Sequence, residues 1–309
     1  MSDRRIKDCR RPEFWRELCP GLTVSDGSHD RPPAASDVPL AAAEHMRADL
    51  AHDGYIVVPE VIESRSCAKL ADCVRQVVGA GFPAPFALIY DEFWDLQVRA
   101  GPILQAVLGQ GPLMIPDIWI WCVDGAYETQ GWRPHRDTIE PTSRADGMPE
   151  TITMWIPLVD VGPANSCIYL LPKFADPDYP AVVPESALTS AALAHVRALA
   201  ATAGSVLCWD VNVLHWGSAY TLDAQTPRIN ISFYFQRADA EQFGLQALPL
   251  DSHFSLEDRL CVIGYNLQKY ERFGYDYDEF TSKFARQFGS FYHMIHDPSA
   301  RRKNQGGTS

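Results

Sequence analysis

The stretch that decides the fold is residues 228–236, RINISFYFQ, in which polar and apolar side chains alternate without a break. Successive side chains of a β-strand point to opposite faces, so this period of two predicts a strand. Its apolar face consists of Ile229, Ile231, Phe233 and Phe235. Its polar face consists of Arg228, Asn230, Ser232, Tyr234 and Gln236. In a β-sandwich such a polar face is usually solvated, and the alternative is the wall of a buried pocket.

The same period of two extends towards the N-terminus, and helical periods lie on either side of it. Strands are predicted at 117–124, 132–137, 152–158, 166–171, 205–209 and 212–216, and a short one begins at Tyr55. Helices are predicted at 41–52, from Ser64, at 91–108, from Ser255 to about Tyr270, and at 278–288. This order predicts a mainly β fold with helical cover, an α+β arrangement around an antiparallel barrel or sandwich.

The predicted domain spans residues 41–290. Residues 1–40 are rich in Asp, Pro, Ser and Arg and are predicted to form an arm, with one helical turn around Trp15. Ser64 is expected to be the N-cap of its helix, and Ser255 with Asp258 resembles a capping box. Residues 291–309 are predicted to form a C-terminal tail that ends in a polar stretch.

Composition excludes several classes of function. The chain has 309 residues, of which 46% are hydrophobic and 21% charged, an ordinary globular composition. It contains no apolar run of about 18 residues and begins with a charged segment, so no membrane span or secretory signal is expected, and the expected location is cytoplasmic. The net charge of −12, without a basic stripe, argues against a nucleic-acid partner. The eight cysteines form no CxxC pair and are expected to be reduced core thiols.

The segment with the clearest chemistry is His135-Arg136-Asp137. On an extended chain, residues two apart face the same side, so an imidazole and a carboxylate converge on one point. Two histidines and one carboxylate on one face of an octahedron suit Fe(II) and leave three positions open. This short motif is weak alone, because it occurs often by chance. Arg133 and Arg136 are candidates for contact with an acidic substrate group, although exposure to solvent is the simpler expectation for each.

His215 is the best candidate for the third ligand. It ends a strand in the segment 207–217, LCWDVNVLHWG, which contains an apolar strand, a turn and a second strand. The other seven histidines are expected to be ordinary core or surface residues: His29, His45, His52, His195, His253, His293 and His296.

Arg228 begins the strand at 228–236, and its guanidinium can form a bidentate pair with a carboxylate. Asn230 and Ser232 lie on the same face and can add neutral hydrogen bonds. In the segment 151–158, Thr153 and Trp155 share a mixed face that suits a pocket wall, although Trp155 fits a plain core position equally well. For Trp119 and Trp121, which also share one face, core and pocket wall are both open.

Taken in order, these segments resemble the phytanoyl-CoA dioxygenase family of Fe(II)/2-oxoglutarate oxygenases, over roughly residues 41–236. The matching segments are 53–59 (DGYIVVP), 135–137 (HRD), 154–160 (MWIPLVD), 214–218 (LHWGS) and the strand at 228–236. The resemblance implies a double-stranded β-helix of the jelly-roll or cupin type. It also implies iron on His135, Asp137 and His215, with 2-oxoglutarate held by Arg228 and O₂ as the oxidant. Asn230, Ser232, Thr153 and Trp155 are the further candidates for contact with the cosubstrate.

The implied activity is hydroxylation, desaturation or cyclisation of a small organic metabolite, in specialised metabolism, with release of succinate and CO₂. Related halogenases replace the carboxylate ligand with a small residue, whereas this chain keeps Asp137. One departure concerns the family's "PGSH" loop, where this chain has Pro172-Lys173-Phe174, so an acyl-CoA substrate is not assumed. Two alternatives are a non-catalytic β-barrel binding protein and a cupin-like metalloenzyme that does not use 2-oxoglutarate. The sequence carries no signal for an oligomeric state.

Overall fold

The computed structural model describes residues 2–26, 36–125, 132–138, 142–180, 189–242 and 245–290, so the predicted tail at 291–309 lies outside it. The helices of these residues are α1 (Ser2–Cys9), α2 (Pro12–Leu18), α3 (Leu40–His52), α4 (Ser64–Gly79), α5 (Asp91–Arg99), α6 (Gly101–Leu108), α7 (Ser190–Leu193), α8 (Leu256–Arg272) and α9 (Glu279–Gly289). The strands are β1 (Tyr55–Val58), β2 (Leu113–Val123), β3 (Thr151–Pro157), β4 (Ile168–Leu170), β5 (Arg197–Leu199), β6 (Val206–Asp210), β7 (His215–Gly217), β8 (Arg228–Gln236) and β9 (Leu248–Pro249). Short 3₁₀ helices cover Ala84–Ile89 and Lys173–Ala175.

Two antiparallel sheets form the centre of the described chain. The larger has the strand order β1-β6-β3-β8-β2-β9, and the smaller has the order β5-β4-β7. Within the larger sheet, Thr153 of β3 pairs with Tyr234 of β8, and Trp155 pairs with Ser232. Directly paired residues point to the same face of a sheet, so Thr153 and Trp155 share a face with the polar side chains of β8.

The two faces of the larger sheet have different neighbours. Met154, Ile231 and Phe233 on the apolar face belong to one hydrophobic cluster with residues of the helices. On the other face, Trp155 and side chains of the smaller sheet, such as Leu170, form a second cluster between the sheets. The prediction of a mainly β fold with helical cover is therefore confirmed. The interpretation of the polar face of β8 as solvated is wrong, because the two sheets enclose it.

Most of the predicted strands are present, and β8 has both of its predicted ends. The exception is 132–137, which is not a regular strand. There only His135 forms a β-bridge, with His215. Pro134 has no amide N–H to donate, so a regular ladder is interrupted at that position. Strands β5 and β9 escaped prediction because three and two residues are too few to show an alternation.

The N-terminal residues form two helices rather than the single predicted turn. Trp15 of α2 is fully buried, and its indole Nε1 donates a hydrogen bond to the Cys9 carbonyl at 2.8 Å. Its rings stack on Phe86 with a centroid distance of 5.9 Å. Helices α1 and α2 thus contribute to the same hydrophobic cluster as the later helices. The division between an arm at 1–40 and a domain at 41–290 stays a prediction.

The predicted capping box at the start of α8 is confirmed. The Ser255 hydroxyl accepts a hydrogen bond from the Asp258 amide, and the Asp258 carboxylate accepts one from the Ser255 amide. At α4 the prediction was one residue out, because Glu63 is the N-cap and Ser64 is the first helical residue. All eight cysteines are free thiols. Among the described residues, no helix has the length and apolar character needed to span a bilayer.

Candidate functional site

The structure brings the side chains of His135, Asp137 and His215 together between the two sheets. Asp137 Oδ1 lies 3.5 Å from Nε2 of His135 and 3.6 Å from Nε2 of His215. The two imidazole rings have a centroid distance of 4.3 Å. Among the described residues, this is the group of histidine, cysteine and acidic side chains whose donor atoms are close enough to share one metal ion. The spacing of the sequence motif and the bridge to β7 produce this convergence.

Hydrogen bonds to the main chain set the tautomer of both histidines. Nδ1 of His135 lies 2.9 Å from the Arg133 carbonyl oxygen, and Nδ1 of His215 lies 3.0 Å from the Val213 carbonyl oxygen. A carbonyl oxygen can only accept, so each Nδ1 carries the proton and donates it. In the neutral form of each ring the lone pair is then on Nε2, and both Nε2 atoms lie close to Asp137 Oδ1. Metal-binding histidines usually have this arrangement.

The second oxygen of the Asp137 carboxylate is occupied by protein donors. Thr153 Oγ1 donates a hydrogen bond to Asp137 Oδ2 at 2.6 Å, and the Trp209 indole Nε1 donates a weaker one at 3.3 Å. These contacts fix the rotation of the carboxylate and leave Oδ1 directed at the two imidazoles. Thr153, which was predicted to contact the cosubstrate, therefore orients a candidate metal ligand as well as lining the pocket.

The surroundings hold these groups in the forms that bind metals. Burial lowers the pKa of His215 to about 4, so its imidazole is neutral at neutral pH. For Asp137, burial alone raises the pKa. The neighbouring His215 and His135 and the hydrogen bond from Thr153 outweigh burial and hold the pKa of this carboxyl below its usual value. Neutral imidazole and ionised carboxylate are the states that coordinate a metal ion.

A cavity of about 250 Å³ opens beside these three side chains. Arg228 lines it and is only 3% exposed. Its Nη1 donates a hydrogen bond to the Ser166 carbonyl at 2.8 Å, and its Cζ lies 5.6 Å from the centre of the Trp121 ring system. A buried guanidinium held by a carbonyl and an aromatic face has a fixed position, which suits recognition of a carboxylate.

Of the other predicted pocket residues, some line the cavity and some do not. Ser232 and Trp155 line the cavity, and Trp155 also belongs to the hydrophobic cluster between the sheets. Asn230 is fully buried and is not among the lining residues, and neither polar atom of its amide has a hydrogen-bond partner among the described residues. The structure separates the two tryptophans of β2, because Trp121 lines the cavity while Trp119 stacks beneath Tyr270.

Several lining residues were missed from the sequence. Tyr234 lies on the predicted polar face of β8 and could have been included from the alternation alone. Lys269, Tyr270 and Phe273 come from the C-terminal end of α8 and the residue that follows it. Their helical periodicity indicates only that one face of α8 is buried, and nothing in the local sequence places that face at the pocket. Lys269 forms an ion pair with Asp117 of β2.

Arg136, between the two proposed ligands, corrects the expectation of an exposed side chain. Its side chain is 2% exposed, and Nη1 lies 2.8 Å from Asp176 Oδ2, whose side chain is equally buried. The same Nη1 donates to the Asn212 carbonyl at 2.6 Å. All three residues of the segment line the cavity, and the contacts of Arg136 with Asp176 and Asn212 anchor the segment next to the two proposed ligands. Arg133 is exposed at the edge of the pocket, as expected.

Lys173, at the departure from the "PGSH" pattern, has a structural contact. Its ammonium lies 3.3 Å from Asp210 Oδ2 and donates a hydrogen bond to the Gly147 carbonyl at 2.9 Å. Asp210 is fully buried at the end of β6 and also accepts a hydrogen bond from the Tyr179 hydroxyl at 2.6 Å. The substituted loop is therefore tied by a buried ion pair to the turn that leads to His215.

Comparison with solved structures identifies the fold. No model of a protein family matches the sequence, and neither does any curated protein. The chain is similar to the non-heme α-ketoglutarate-dependent epimerase SnoN from nogalamycin biosynthesis, with a TM-score of 0.52, 18% identity and coverage of 71% of this chain and 97% of that one. A SnoN complex with Fe³⁺, α-ketoglutarate and nogalamycin RO gives a TM-score of 0.53 at 16% identity, covering 68% and 96% of the two chains.

HygX from Streptomyces hygroscopicus, with nickel and 2-oxoglutarate bound, is similar to the same extent. Its TM-score is 0.51 at 15% identity, and the match covers 69% of this chain and 98% of that one. The fold that this chain shares with these structures is the double-stranded β-helix. The predicted fold class is confirmed, and at these identities the likeness concerns the fold.

Proposed function

We propose that this protein is an Fe(II)/2-oxoglutarate-dependent oxygenase that hydroxylates, desaturates or cyclises a small organic metabolite in specialised metabolism. The observation that carries this proposal is the convergence of His135 Nε2, His215 Nε2 and Asp137 Oδ1 beside the buried Arg228. Two imidazoles and one carboxylate match the donor set of non-heme iron oxygenases. When bound, iron, 2-oxoglutarate and O₂ together supply the oxidation of a C–H bond, with release of succinate and CO₂.

Each protein group has a defined part in this proposal. His135, His215 and Asp137 hold the metal through atoms whose orientation is fixed by main-chain carbonyls and by Thr153. Arg228 binds the distal carboxylate of 2-oxoglutarate, because it is the cation placed deep in the cavity by β8. Ser232 on the same face adds a neutral hydrogen-bonding group.

The aromatic lining excludes water from the reacting centre. Trp209 and Trp155 are each only 2% exposed and line the cavity. Their side chains limit solvent entry, which protects a strong oxidant from side reactions. The solved SnoN structures come from nogalamycin biosynthesis, and this supports a substrate from specialised metabolism. A small molecule is the proposed partner because the site is an internal cavity rather than a surface.

Anaerobic titration of 2-oxoglutarate into Fe(II)-loaded protein tests the proposal. A weak visible charge-transfer band is expected to grow with the cosubstrate. The variant His135→Ala is expected to bind iron too weakly to produce the band, because one of three protein ligands is lost. His253→Ala, which changes an exposed histidine outside the cavity, is the matched control and should retain it. Metal binding without the band would favour the cupin-like metalloenzyme instead.

Turnover provides a second readout. Succinate release that rises when a candidate metabolite is added is expected of an oxygenase. A chain that binds iron and 2-oxoglutarate but releases no succinate with any member of a broad metabolite panel would be a binding protein. That result would contradict the proposed catalytic role while leaving the metal site intact.

A further inference from the structure

The volume of the cavity limits how much of a substrate it can enclose. At about 250 Å³ it lies below the range of roughly 300–1,000 Å³ that is usual for small-molecule sites. Under the proposed function, 2-oxoglutarate occupies the part next to Arg228. The remaining space admits only the portion of the substrate that reacts, so the rest of the substrate has to lie at the opening.

Among the described residues, the part of the cavity lining next to the exposed Phe273 is aromatic; it consists of Trp132, Tyr270 and Phe273 and is here called the aromatic mouth. The centroid of the Trp132 rings lies 6.0 Å from those of both Tyr270 and Phe273, and Tyr270 and Phe273 are 6.1 Å apart. All three pairs meet edge to face, with interplanar angles of 64° to 83°. Rings in direct contact form a continuous wall, with no space between them for a ligand group.

Further aromatic rings pack against the aromatic mouth on one side, and Phe273 is exposed on the other. Tyr270 stacks on Trp119 with a centroid distance of 3.6 Å and an angle of 17°, and Trp132 stacks on Tyr275 at 5.8 Å and 18°. Phe273 is 58% exposed. A large apolar ring exposed at the edge of a fixed aromatic cluster, beside a cavity, is a surface that a ligand can cover.

This wall leads directly to the proposed iron site. The Trp132 rings lie 5.9 Å from the imidazole of His135. A molecule resting on Trp132 therefore extends one end into the cavity, towards the three donor atoms. Among the residues that the structure describes, Arg133 and Lys269 also line the cavity, and Lys269 is paired with Asp117.

We propose that the substrate carries a flat, unsaturated ring system that packs on Phe273 and Trp132 while its reacting carbon enters the cavity. The proposal rests on the proposed function for the place of 2-oxoglutarate in the cavity and for the direction in which the reacting carbon points. Flat rings gain more from contact with aromatic faces than saturated rings of the same size, because quadrupole interactions add to area burial. The residue that follows α8 and the segment that carries His135 and Asp137 thereby supply the proposed contacts with the ring system.

The test compares two probes with the same carbon skeleton, 2-naphthol and decahydro-2-naphthol. Their binding to anaerobic protein loaded with Fe(II) and 2-oxoglutarate is measured by calorimetry, so that the cosubstrate site is already filled. The unsaturated probe is expected to bind about 3- to 10-fold more tightly. Phe273→Ala should reduce this preference to near unity. Phe273→Leu should do the same, because leucine keeps an apolar surface but has no flat face.

Phe174→Ala is the matched control, since Phe174 is also half-exposed, at 50%, and lies outside the cavity. It should leave the preference unchanged. Equal binding of the two probes, or a preference that survives both Phe273 variants, would overturn the inference. The charge-transfer band is recorded in the same samples. A band without a probe preference refutes the aromatic mouth alone, and a preference without a band refutes the oxygenase proposal alone.

Discussion

The main chains of His135 and His215 are joined by two hydrogen bonds, one from each amide to the carbonyl of the other residue, with N–O distances of 2.9 and 3.0 Å. A further bond of 2.9 Å from the Asp137 amide to the Val211 carbonyl continues the same contact. Because these bonds fix the relative positions of the three side chains without any metal, binding an ion requires little rearrangement of the backbone.

Replacing Arg228 should separate cosubstrate binding from metal binding. Arg228→Ala is expected to retain Fe(II) but to weaken 2-oxoglutarate binding by about 1.5–3 kcal/mol, or roughly 10- to 150-fold, since a charge-assisted contact is lost. Calorimetric titration of 2-oxoglutarate into the anaerobic Fe(II) protein measures this change. Arg237→Ala, at a residue paired with Asp239 outside the cavity, serves as the control. Unchanged affinity in Arg228→Ala would exclude this residue as the anchor.

Thr153→Val should weaken the metal site while the fold is kept. The substitution removes the hydroxyl that donates to Asp137 Oδ2 at 2.6 Å, so the carboxylate loses its main orienting contact. Loss of such a supporting hydrogen bond typically costs about 10- to 100-fold in metal affinity. Competition with a metal-binding dye gives the affinity, and Thr151→Val on the same strand is the comparison. If both variants bind metal equally well, Thr153 does not orient the ligand.

The buried ion pair of Arg136 and Asp176 predicts a large effect on stability. Asp176→Asn leaves the guanidinium of Arg136 buried without its counter-charge, and breaking such a pair typically costs about 3–5 kcal/mol. Urea denaturation gives the free energy of unfolding. Asp239→Asn breaks a solvent-exposed pair with Arg237 and should cause no measurable change. A loss of similar size in both variants would show that burial of Arg136 carries no special cost.

Gly54 has no room for a side chain, because the side chain of Lys173 packs directly against it. A Cβ at Gly54 would lie 2.5 Å from Cδ and Cγ of Lys173 and 2.6 Å from Cγ2 of Val213. Gly274 has a similar positive φ, +95° compared with +84°, but has nothing within 4 Å of its Cβ position. Gly54→Ala is therefore expected to destabilise the protein by about 1–3 kcal/mol more than Gly274→Ala, through overpacking alone. Equal thermal stabilities of the two variants would contradict the close approach.

The sequence predicted the parts of the molecule that depend on local periodicity and spacing. The alternation at 228–236 gave both ends of β8, and the two-residue spacing in His135-Arg136-Asp137 gave two side chains that converge. His215 was placed by its position at the end of an apolar strand. These features are encoded within a few neighbouring residues, so a single sequence is enough to read them.

The remaining features depend on contacts between distant segments. Nothing near Lys269, Tyr270 or Phe273 indicates that the end of α8 lies at the pocket, because that placement follows from packing against β2. Similarly, Arg136 is buried because it pairs with Asp176, and nothing in the sequence indicates that these two residues are in contact. The interruption at Pro134 was readable from the missing amide, and the prediction of a regular strand there overlooked it.

The capping box at Ser255 bears on how the substrate specificity of this fold could change. It fixes the residue at which α8 begins. Because a helix has a regular rise and turn, the start of α8 also determines where Lys269 and Tyr270 lie near its end. The candidate metal ligands lie on β7 and on the segment at 132–138, so Lys269 and Tyr270 occupy a separate stretch of chain from them. Under the proposed function, exchanging the last turn of α8 is therefore expected to change which compounds are accepted without altering the three metal ligands, a route by which new specificities could evolve or be engineered.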